Sequence, residues 1–415
     1  MRVIILRRLK VLIGAAVVTL LTLSLVIYPK EGVESAVAGL KVFWDIVLPS
    51  LLPFFVLSEV LLGMGVVHFL GVLLEPLMRP LFNVPGVGAF ALSMGLAAGY
   101  PMDAVITGKF RRSGMCNQVE GERLLSFTNT ADPLFIFGAV AVGMFGRPDL
   151  GVILAIAHYM ASFTVGVIFK FYKKERKKKE ENLSEESKPG IMRRALQALF
   201  KARREDGRPF GRLMGDAVKE SMTTLTMICG FIMLFSVVVK MLTVFGFLGV
   251  IAPVVSSVLK VFGMDPHLTH SIFYGILEID LGTMAASKAF APLLDKVVVA
   301  SWIIAWSGLC VHGQIASVIH DTDIRMSPYV AARFLHGMFA AWYTWFLMGP
   351  LAPVLAPFSR RIPVGQGFNP LDRVVFTGRQ LLLIIGILLV CSVAVYWFRR
   401  YRIVWEGKDR KSIRV

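Results

Sequence analysis

Long apolar runs separated by short polar segments dominate this sequence, and their lengths predict helices that cross a lipid bilayer. One crossing needs about 20 largely apolar residues. The run 11–28 follows four basic residues and lacks a small-x-small cleavage site, so we expect it to remain as a first membrane helix. Further runs that qualify at least in part are 47–67, 134–145, 151–171, 222–244, 297–311, 330–347 and 381–398. The pattern predicts an all-α, polytopic membrane protein.

Glycine and proline interrupt several apolar stretches, at 84–88, 95–101 and 275–282. These interruptions predict short, broken or re-entrant membrane helices. Irregular backbone survives in the hydrocarbon layer only where protein buries it or where it lines a wet cavity, because its free N–H and C=O groups otherwise lack partners. The broken segments therefore indicate a solute pathway or a binding site, and a loop at the membrane surface is the alternative for each.

The two sides of a charged central segment resemble each other at a separation of about 178 residues. His158 then falls opposite His336, and the stretch 52–58 falls opposite 229–235. The shared order favours a duplication. The resulting division is 1–35 as an N-terminal membrane helix, 36–172 as a first repeat, 173–220 as a charged, partly disordered cytoplasmic linker, 221–357 as a second repeat, and 358–415 as a loop, a last membrane helix and a basic tail.

Basic residues concentrate at the N-terminus, in the linker and in the C-terminal tail, which places all three in the cytoplasm by the positive-inside rule. A first helix that runs outward leaves the first repeat to begin outside and end inside. The second repeat then begins inside and ends outside, so the repeats are inverted, as in many secondary transporters. Basic residues between 359 and 379 would lie outside in this arrangement, which argues against it.

The composition narrows the class of protein further. Hydrophobic residues make up 55% of the 415 residues and charged residues 18%, which is more apolar than soluble domains are. The net charge of +17 comes from membrane-flanking segments without interleaved aromatic residues, so we expect contact with a lipid bilayer and no nucleic-acid partner.

The four cysteines lie far apart, which favours core packing over disulfides or zinc. The sequence has no zinc-protease, Walker, nucleophile-elbow or dinucleotide-binding motif in usable context, so we expect no enzyme, metal or cofactor.

Polar residues inside apolar segments are the candidates for a solute site, because a charge at a helix centre costs about 2.5–3.5 kcal/mol unless it faces water or protein. The first repeat offers Glu59, Asp103 and Lys109, followed by Thr128, Asn129 and Thr130 in the run 126–133. The hydroxyls and the amide of that run precede a proline that frees a backbone carbonyl, a combination suited to binding a small polar solute. Helix N-capping by Asn129, Thr130 or Asp132 is the alternative.

The second repeat carries its own polar candidates. They are Glu278 and Asp280, then Trp306 and Ser307, then His312 and Gln314. An unwound stretch would let both carboxylates reach water or a coupling cation, either a proton or sodium. His312 and Gln314 are suited to hydrogen-bond a planar acid or heterocycle, with Trp306 as a stacking face. The alternative for His312 or Gln314 is a hydrogen bond that ties neighbouring helices together.

Many of these motifs resemble those of one family. They are 48–55, 71–80, 84–86, Gly99-Tyr100-Pro101, 122–129 and 133–140 in the first repeat, and Leu-Glu-Ile-x-x-Gly at 277–282 and Gly-Leu-x-Val-His-x-Gln at 308–314 in the second. Together they cover nearly the whole chain. The chain resembles the sporulation integral membrane proteins of the YlbJ (SpoVV) type, which have two nucleoside-recognition Gate domains.

The resemblance implies a fold like that of the concentrative nucleoside transporters and a place in the mother-cell-derived outer forespore membrane of an endospore-forming bacterium. It implies transport of dipicolinic acid, with Gly99 and Tyr100 joining the site residues named above, and it leaves a homo-oligomer open. The alternative is a non-transporting morphogenetic protein required for spore cortex assembly, which would recruit partners through the linker.

Two residues depart from the family pattern. Asp103 stands where a small residue is expected after Gly99-Tyr100-Pro101, and Asp280 lies within the second-repeat motif. Their negative charges would disfavour a dianionic ligand unless a cation, or Lys109, Arg111 or Arg112, compensates them.

Overall fold

The architecture is built from helices. The computed structural model describes residues 2–173 and 190–350, together with 386, 389–395 and 397, and within these ranges the backbone forms helices and turns and no strand. The first half contains α1 (Arg2–Ile27), α2 (Pro29–Val42), α3 (Leu48–Gly63), α4 (Val66–Phe82), α5 (Gly88–Ala98), α6 (Met102–Arg112), α7 (Gln118–Thr128) and α8 (Asp149–Phe169). The second half contains α9 (Ile191–Asp206), α10 (Phe210–Val244), α11 (Phe247–Val261), α12 (Thr269–Leu277), α13 (Ile279–Lys288), α14 (Leu293–Trp306), α15 (Gly308–Ile319) and α16 (Met326–Met348). The all-α prediction is confirmed.

Three further helical stretches connect these elements. Two of them are π-helical: Phe43–Val47 joins α2 to α3, and Leu134–Met144, called the π segment below, lies between α7 and α8. A turn of 3₁₀ helix, Pro266–Leu268, precedes α12. The π segment begins directly after Pro133, whose missing N–H prevents α7 from continuing across the break.

Several helices are long and apolar enough to cross a bilayer. Among the described residues these are α8, α10 and the combined stretch Leu293–Ile319 of α14 and α15. Two bent pairs qualify as well, Val11–Ile27 with Pro29–Asp45 and Leu51–Gly63 with Val66–Phe82. Apolar side chains along α1, α10 and α11 are exposed at the protein surface, where lipid chains would cover them. The chain is a multi-pass integral membrane protein, as the apolar pattern predicts.

The predicted run 47–67 is not one straight helix, because α3 and α4 meet at an angle of 82°. The bend lies at Gly65, whose φ of +80° is readily adopted by glycine. The Leu199 carbonyl oxygen of α9 occupies the space into which a side chain on Gly65 would project. The predicted run 381–398 lies mostly outside the described residues.

Two of the predicted boundaries fall inside helices, whereas the boundary at 172 lies in the turn after α8. The boundary at 220 lies within α10, which begins ten residues earlier at Phe210, and the boundary at 35 lies within α2. Part of the predicted linker forms α9, which packs against α4 and buries Ala195 completely. This part of the linker therefore docks on the first repeat. The predicted last unit, 358–415, lies outside the described residues except at 386, 389–395 and 397.

The two halves follow the same order of elements. The pair α3 and α4 corresponds to α10 and α11, the hairpin of α5 and α6 to the hairpin of α12 and α13, the broken helix of α7 and the π segment to α14 and α15, and α8 to α16. The packing repeats as well, because α6 lies against α15 as α13 lies against the π segment. His158 and His336 are 178 residues apart and lie side by side, which matches the separation that the sequence predicts.

The equivalent helices α8 and α16 run in opposite directions. Arg325, just before α16, donates a hydrogen bond to the hydroxyl of Tyr172, just after α8, at 2.8 Å. Further along, His158 in the middle of α8 lies 4.5 Å from His336 in α16, ring centroid to centroid. The end of one helix thus meets the beginning of the other, so the two halves are inverted relative to each other.

Candidate functional site

Asp103 fastens the first hairpin, α5 and α6, to the first helix break, which is the unwound stretch 129–132 between α7 and the π segment. It lies in the first turn of α6, and its carboxylate oxygens accept hydrogen bonds from the Thr128 hydroxyl at 3.0 Å and the Asn129 amide at 2.9 Å. All three side chains are fully buried. Gly95 of α5 permits this close approach, because a side-chain carbon there would lie 2.2 Å from the Thr128 carbonyl oxygen. The first hairpin and the unwound residues after α7 therefore form one unit.

The second helix break is held against the tip of the second hairpin. Between α14 and α15, Ser307 takes the left-handed conformation, with a φ of +69°. The Trp306 indole N–H donates to the Ile276 carbonyl oxygen, near the end of α12, at 3.1 Å. Glu278, at the tip, accepts a hydrogen bond from the Leu281 N–H at 2.8 Å and caps α13. Each hairpin tip thus meets the helix break of its own half.

Two residues of α16 join the two breaks. The Tyr329 hydroxyl donates to the Asn129 side-chain oxygen at 3.0 Å. Arg333 is fully buried and donates to three backbone carbonyl oxygens, those of Ser126 at 2.8 Å, of Ala305 at 3.5 Å and of Asn129. These carbonyls lie near the ends of α7 and α14, where no further helical turn supplies an N–H. The guanidinium of Arg333 therefore replaces the missing donors of both broken helices.

His312 lies in an aromatic cluster beside the second break. Its ring centroid is 4.4 Å from that of Trp306 and 5.1 Å from that of Tyr329. Its Nδ1 lies 2.8 Å from the Gly308 carbonyl oxygen, so Nδ1 carries the proton and Nε2 is an acceptor. In the described part of the chain, His312 Nε2, the Tyr100 hydroxyl and Arg333 Nε are buried without a hydrogen-bond partner. The two breaks thus offer acceptors and donors to a small polar solute.

Carboxylates outnumber cations around this centre. The carboxylates are those of Asp103, Asp132, Glu278 and Asp280. The buried cation near them is the guanidinium of Arg333. Asp132 and Asp280 both lie near enough to the Tyr100 hydroxyl to interact with it electrostatically. No group of three His, Cys, Asp or Glu side chains in the described ranges is placed to hold a metal ion. The excess of carboxylates favours a proton or another cation beside any anionic solute.

The residues of the run 126–133 divide into two roles. Asp132 caps the π segment by accepting from the Phe135 N–H at 2.9 Å, which is the capping alternative. Asn129 instead binds Asp103 and Tyr329 with its side chain. The Thr130 hydroxyl donates to the Thr128 carbonyl at 3.4 Å. Asn129 is therefore the residue of this run whose side chain connects both halves, through Asp103 and Tyr329.

The backbone of the first break is held by α8. The Ala131 N–H donates to His158 Nε2 at 3.0 Å, and the Tyr159 hydroxyl donates to the Ala131 carbonyl at 3.1 Å. His336 Nε2 in turn lies 2.9 Å from the His158 carbonyl oxygen. Both polar groups of one unwound residue are thus satisfied inside the protein, as backbone within a membrane requires.

Lys109 does not join this constellation, contrary to the sequence prediction. Its ammonium pairs with Glu59 and, at 2.8 Å, with Glu220. Seven residues of helix carry Lys109 about 10 Å beyond the hairpin tip, so it cannot compensate a charge at the breaks.

Two other predicted site residues differ in position. Gln314 donates to Cys310 Sγ on its own helix at 3.4 Å. Gly99, by contrast, ends α5 at the first tip and lies against Asp132.

Sequence reasoning missed Arg333 and Tyr329. Both lie in or beside the apolar run 330–347, and the arginine is the one Asp, Glu, Lys or Arg residue within that run. An ionisable residue inside a membrane segment indicates a functional or internal position by itself, so this signal was available. Their partners could not be inferred, because Arg333 bonds residues 204 and 207 positions away.

An ion-pair network at one end of the molecule joins the two halves. Its members are Arg111, Arg112 and Glu122 from the first half and Asp321, Asp323 and Arg325 from the second. Arg111 binds both oxygens of Asp323, at 2.7 and 2.8 Å, and Arg112 binds Asp321 at 2.8 Å. The end of α8 lies at the same end of the molecule. The network therefore ties the two halves together at the end from which the linker departs.

Replacing Asp321 and Asp323 together by asparagine is expected to open this end. Exposed ion pairs contribute about 0.2–1 kcal/mol each, so the loss of two pairs should raise access to the breaks by about two- to thirtyfold. The measurement is the rate at which a thiol introduced by His312→Cys reacts with a membrane-impermeant reagent. Asp149→Asn, which breaks an ion pair within one loop at the opposite end, is the matched control and should leave the rate unchanged.

The fold and the site together define a multi-pass membrane protein built from two inverted halves that meet at broken helices. The Gate family model, described as nucleoside recognition, matches residues 45–175. This range covers most of the first half. A second Gate domain in the other half stays a prediction, supported by the repeated order of elements.

A comparison with curated proteins gives the family. The chain is 42% identical over 349 residues to the sporulation integral membrane protein YlbJ of Bacillus subtilis (strain 168), and the match covers 83% of this chain and 85% of that protein. The chain belongs to the YlbJ family of sporulation integral membrane proteins, which confirms the resemblance seen in the motifs. No solved structure matches the chain.

Proposed function

We propose that this protein transports dipicolinic acid across the outer forespore membrane during sporulation. One observation carries the proposal: two helix breaks and two hairpin tips, from inverted halves, meet around buried polar atoms within an apolar bundle. Broken helices at the interface of inverted repeats are how many secondary transporters bind solutes. The relative named above is a sporulation protein, which supports the cellular setting.

A planar dicarboxylate has groups that complement those at the breaks. Arg333 Nε and the Tyr100 hydroxyl would donate to carboxylate oxygens, and the Trp306 and His312 rings would flank an aromatic ring. The surrounding carboxylates would repel a dianion, so protons or sodium ions would accompany it. Coupling to such a cation would drive transport along its gradient.

A neutral nucleoside is the second candidate. The description of the Gate family favours it, and so does the excess of carboxylates, because a neutral solute needs no charge compensation. Carboxylates and Asn129 would accept and donate hydrogen bonds to hydroxyl and base groups. The two candidates differ in charge, which makes a competition experiment informative.

We place the N-terminus, the linker and the C-terminal tail in the cytoplasm. The ion-pair network contributes Arg111, Arg112 and Arg325 to the end of the molecule next to the linker. Basic residues concentrate on the cytoplasmic side of membrane proteins. The breaks would then open alternately toward this end and toward the opposite one.

Purified protein is expected to bind radiolabelled dipicolinate saturably, and His312→Ala is expected to weaken binding by about tenfold. The substitution removes one hydrogen-bond acceptor and one ring contact, each of about 0.5–1.5 kcal/mol. Scintillation proximity binding with dipicolinate or uridine as competitor provides the measurement. His320→Ala, an exposed histidine outside the breaks, is the matched control and should bind normally.

Displacement by uridine with no binding of dipicolinate would replace the first candidate by the second. Saturable binding that His312→Ala leaves unchanged would show that the solute binds elsewhere in the protein.

A further inference from the structure

Helix α9 is fixed rigidly to the bend between α3 and α4. Its buried side contains Ala195, which has no exposed surface. The Leu199 carbonyl oxygen lies 2.4 Å from the position of a side-chain carbon on Gly65, so the two backbones are in contact. At its end, Asp206 binds Arg208, which also binds Asp216 of α10 at 3.0 Å. The orientation of α9 relative to the membrane helices is therefore set by the protein.

A row of large apolar side chains points away from the protein on another side of α9. Met192 is 54% exposed, Leu196 42% and Phe200 64%, and their spacing of four residues places them in one line along the helix. Nothing in the described part of the chain covers this row. Such a row in water would be an unfavourable surface, so it indicates a second, apolar neighbour.

Basic residues border this apolar row on the side away from the buried face. Arg193 and Arg204 project beside it, and Arg194 and Lys201 lie further round the helix, all of them exposed. The helix lies at the end of the molecule where Lys109 pairs with Glu220 of the long membrane helix α10. The row and its basic flanks are thus located where the membrane helices reach the surface.

We propose that α9 lies in the headgroup layer of the membrane and binds anionic lipids. Met192, Leu196 and Phe200 insert among the acyl chains, while Arg193, Arg204 and Lys201 bind lipid phosphates. An apolar face bordered by basic residues is the pattern by which interfacial helices bind membranes, and long basic side chains extend to the headgroups from beside an apolar face. Because α9 contacts the α3–α4 bend directly, the lipid contact holds this part of the fold at the membrane surface.

A pair of fluorescent labels on the full-length protein tests this placement. Phe200→Cys puts a label in the apolar row, and Gln197→Cys puts a control label on the exposed polar side, both with Cys229 and Cys391 replaced by alanine. The protein is reconstituted into phosphatidylcholine vesicles with or without phosphatidylglycerol. With phosphatidylglycerol, iodide is expected to quench the label at 200 about threefold less than the label at 197, while lipid-borne nitroxide quenches the label at 200 more. Met192→Cys repeats the measurement one row position away, in case Phe200→Cys does not fold.

A charge reversal separates lipid recognition from simple burial. Arg193→Glu with Arg204→Glu is expected to remove the protection of position 200 in phosphatidylglycerol vesicles. Equal access of iodide to positions 200 and 197 would overturn the proposal. Equal protection in pure phosphatidylcholine would overturn the anionic-lipid part, and protection that rises with protein density at fixed lipid composition would assign the row to contact between copies of the chain.

Discussion

Replacing Arg333 by methionine is expected to lower the free energy of unfolding by about 3 kcal/mol or more. The methionine keeps most of the apolar stem but leaves the carbonyls of Ser126, Asn129 and Ala305 without their donor. A buried group that loses its partner costs about 1–3 kcal/mol, and water cannot replace the donor in the bundle interior. Thermal unfolding of the purified protein in detergent measures the loss.

The same substitution at Arg147 is the matched control. Arg147 lies just before α8 and pairs with Asp149, and both side chains are exposed, at 50% and 36%. Water can satisfy the carboxylate that the substitution leaves, so Arg147→Met is expected to cost about 1 kcal/mol or less. Equal losses for the two variants, or no loss for Arg333→Met, would contradict the role given to the guanidinium at the breaks.

Replacing Gly95 by alanine is expected to destabilise the protein by about 1–3 kcal/mol, the usual cost of overpacking. The added carbon would lie 2.2 Å from the Thr128 carbonyl oxygen, and a backbone atom cannot turn aside as a side chain can. Helix α7 must then move away from α5, which stretches the hydrogen bonds from Thr128 and Asn129 to Asp103. We expect solute uptake to fall by about tenfold or more, since 1.4 kcal/mol at the site already has that effect.

Gly230→Ala provides the comparison for Gly95→Ala. Gly230 lies within α10, and a side-chain carbon there meets no other atom within 4 Å. Alanine is the better helix former by about 0.8–1.0 kcal/mol, so this variant is expected to be unchanged or slightly stabilised, with normal uptake. Wild-type stability and uptake in Gly95→Ala would show that α5 and α7 are not held together as described.

The broken helices could be predicted from sequence because glycine and proline act locally. The interruption 95–101 became the tip of the first hairpin, and 275–282 contains the tip of the second. Asn129, Trp306, Ser307 and His312 were expected at a site because polar groups in apolar runs need a partner. The separation of 178 residues between equivalent positions could also be predicted, because each half contains the same helix break and therefore repeats the same sequence pattern.

The partners of the buried charges could not be predicted from sequence. The sequence predicts that the charge of Asp103 disfavours a dianionic ligand, whereas in the structure this carboxylate is the acceptor that fastens a hairpin to a break. The sequence predicts Lys109 at the site because it is a charge in an apolar setting, yet the carboxylates that pair with it lie on α3 and α10. Each of these pairings depends on which helices are neighbours in space, and apolar periodicity does not specify neighbours.

The central claim is that the two inverted halves form a path for a solute at their breaks. Uptake of radiolabelled dipicolinate into proteoliposomes, with and without a proton or sodium gradient, tests it most directly. We predict saturable uptake that a gradient accelerates and that Asn129→Ala abolishes, because this residue joins Asp103 to Tyr329 across the halves. Folded wild-type protein that moves neither dipicolinate nor uridine under any gradient would contradict the account.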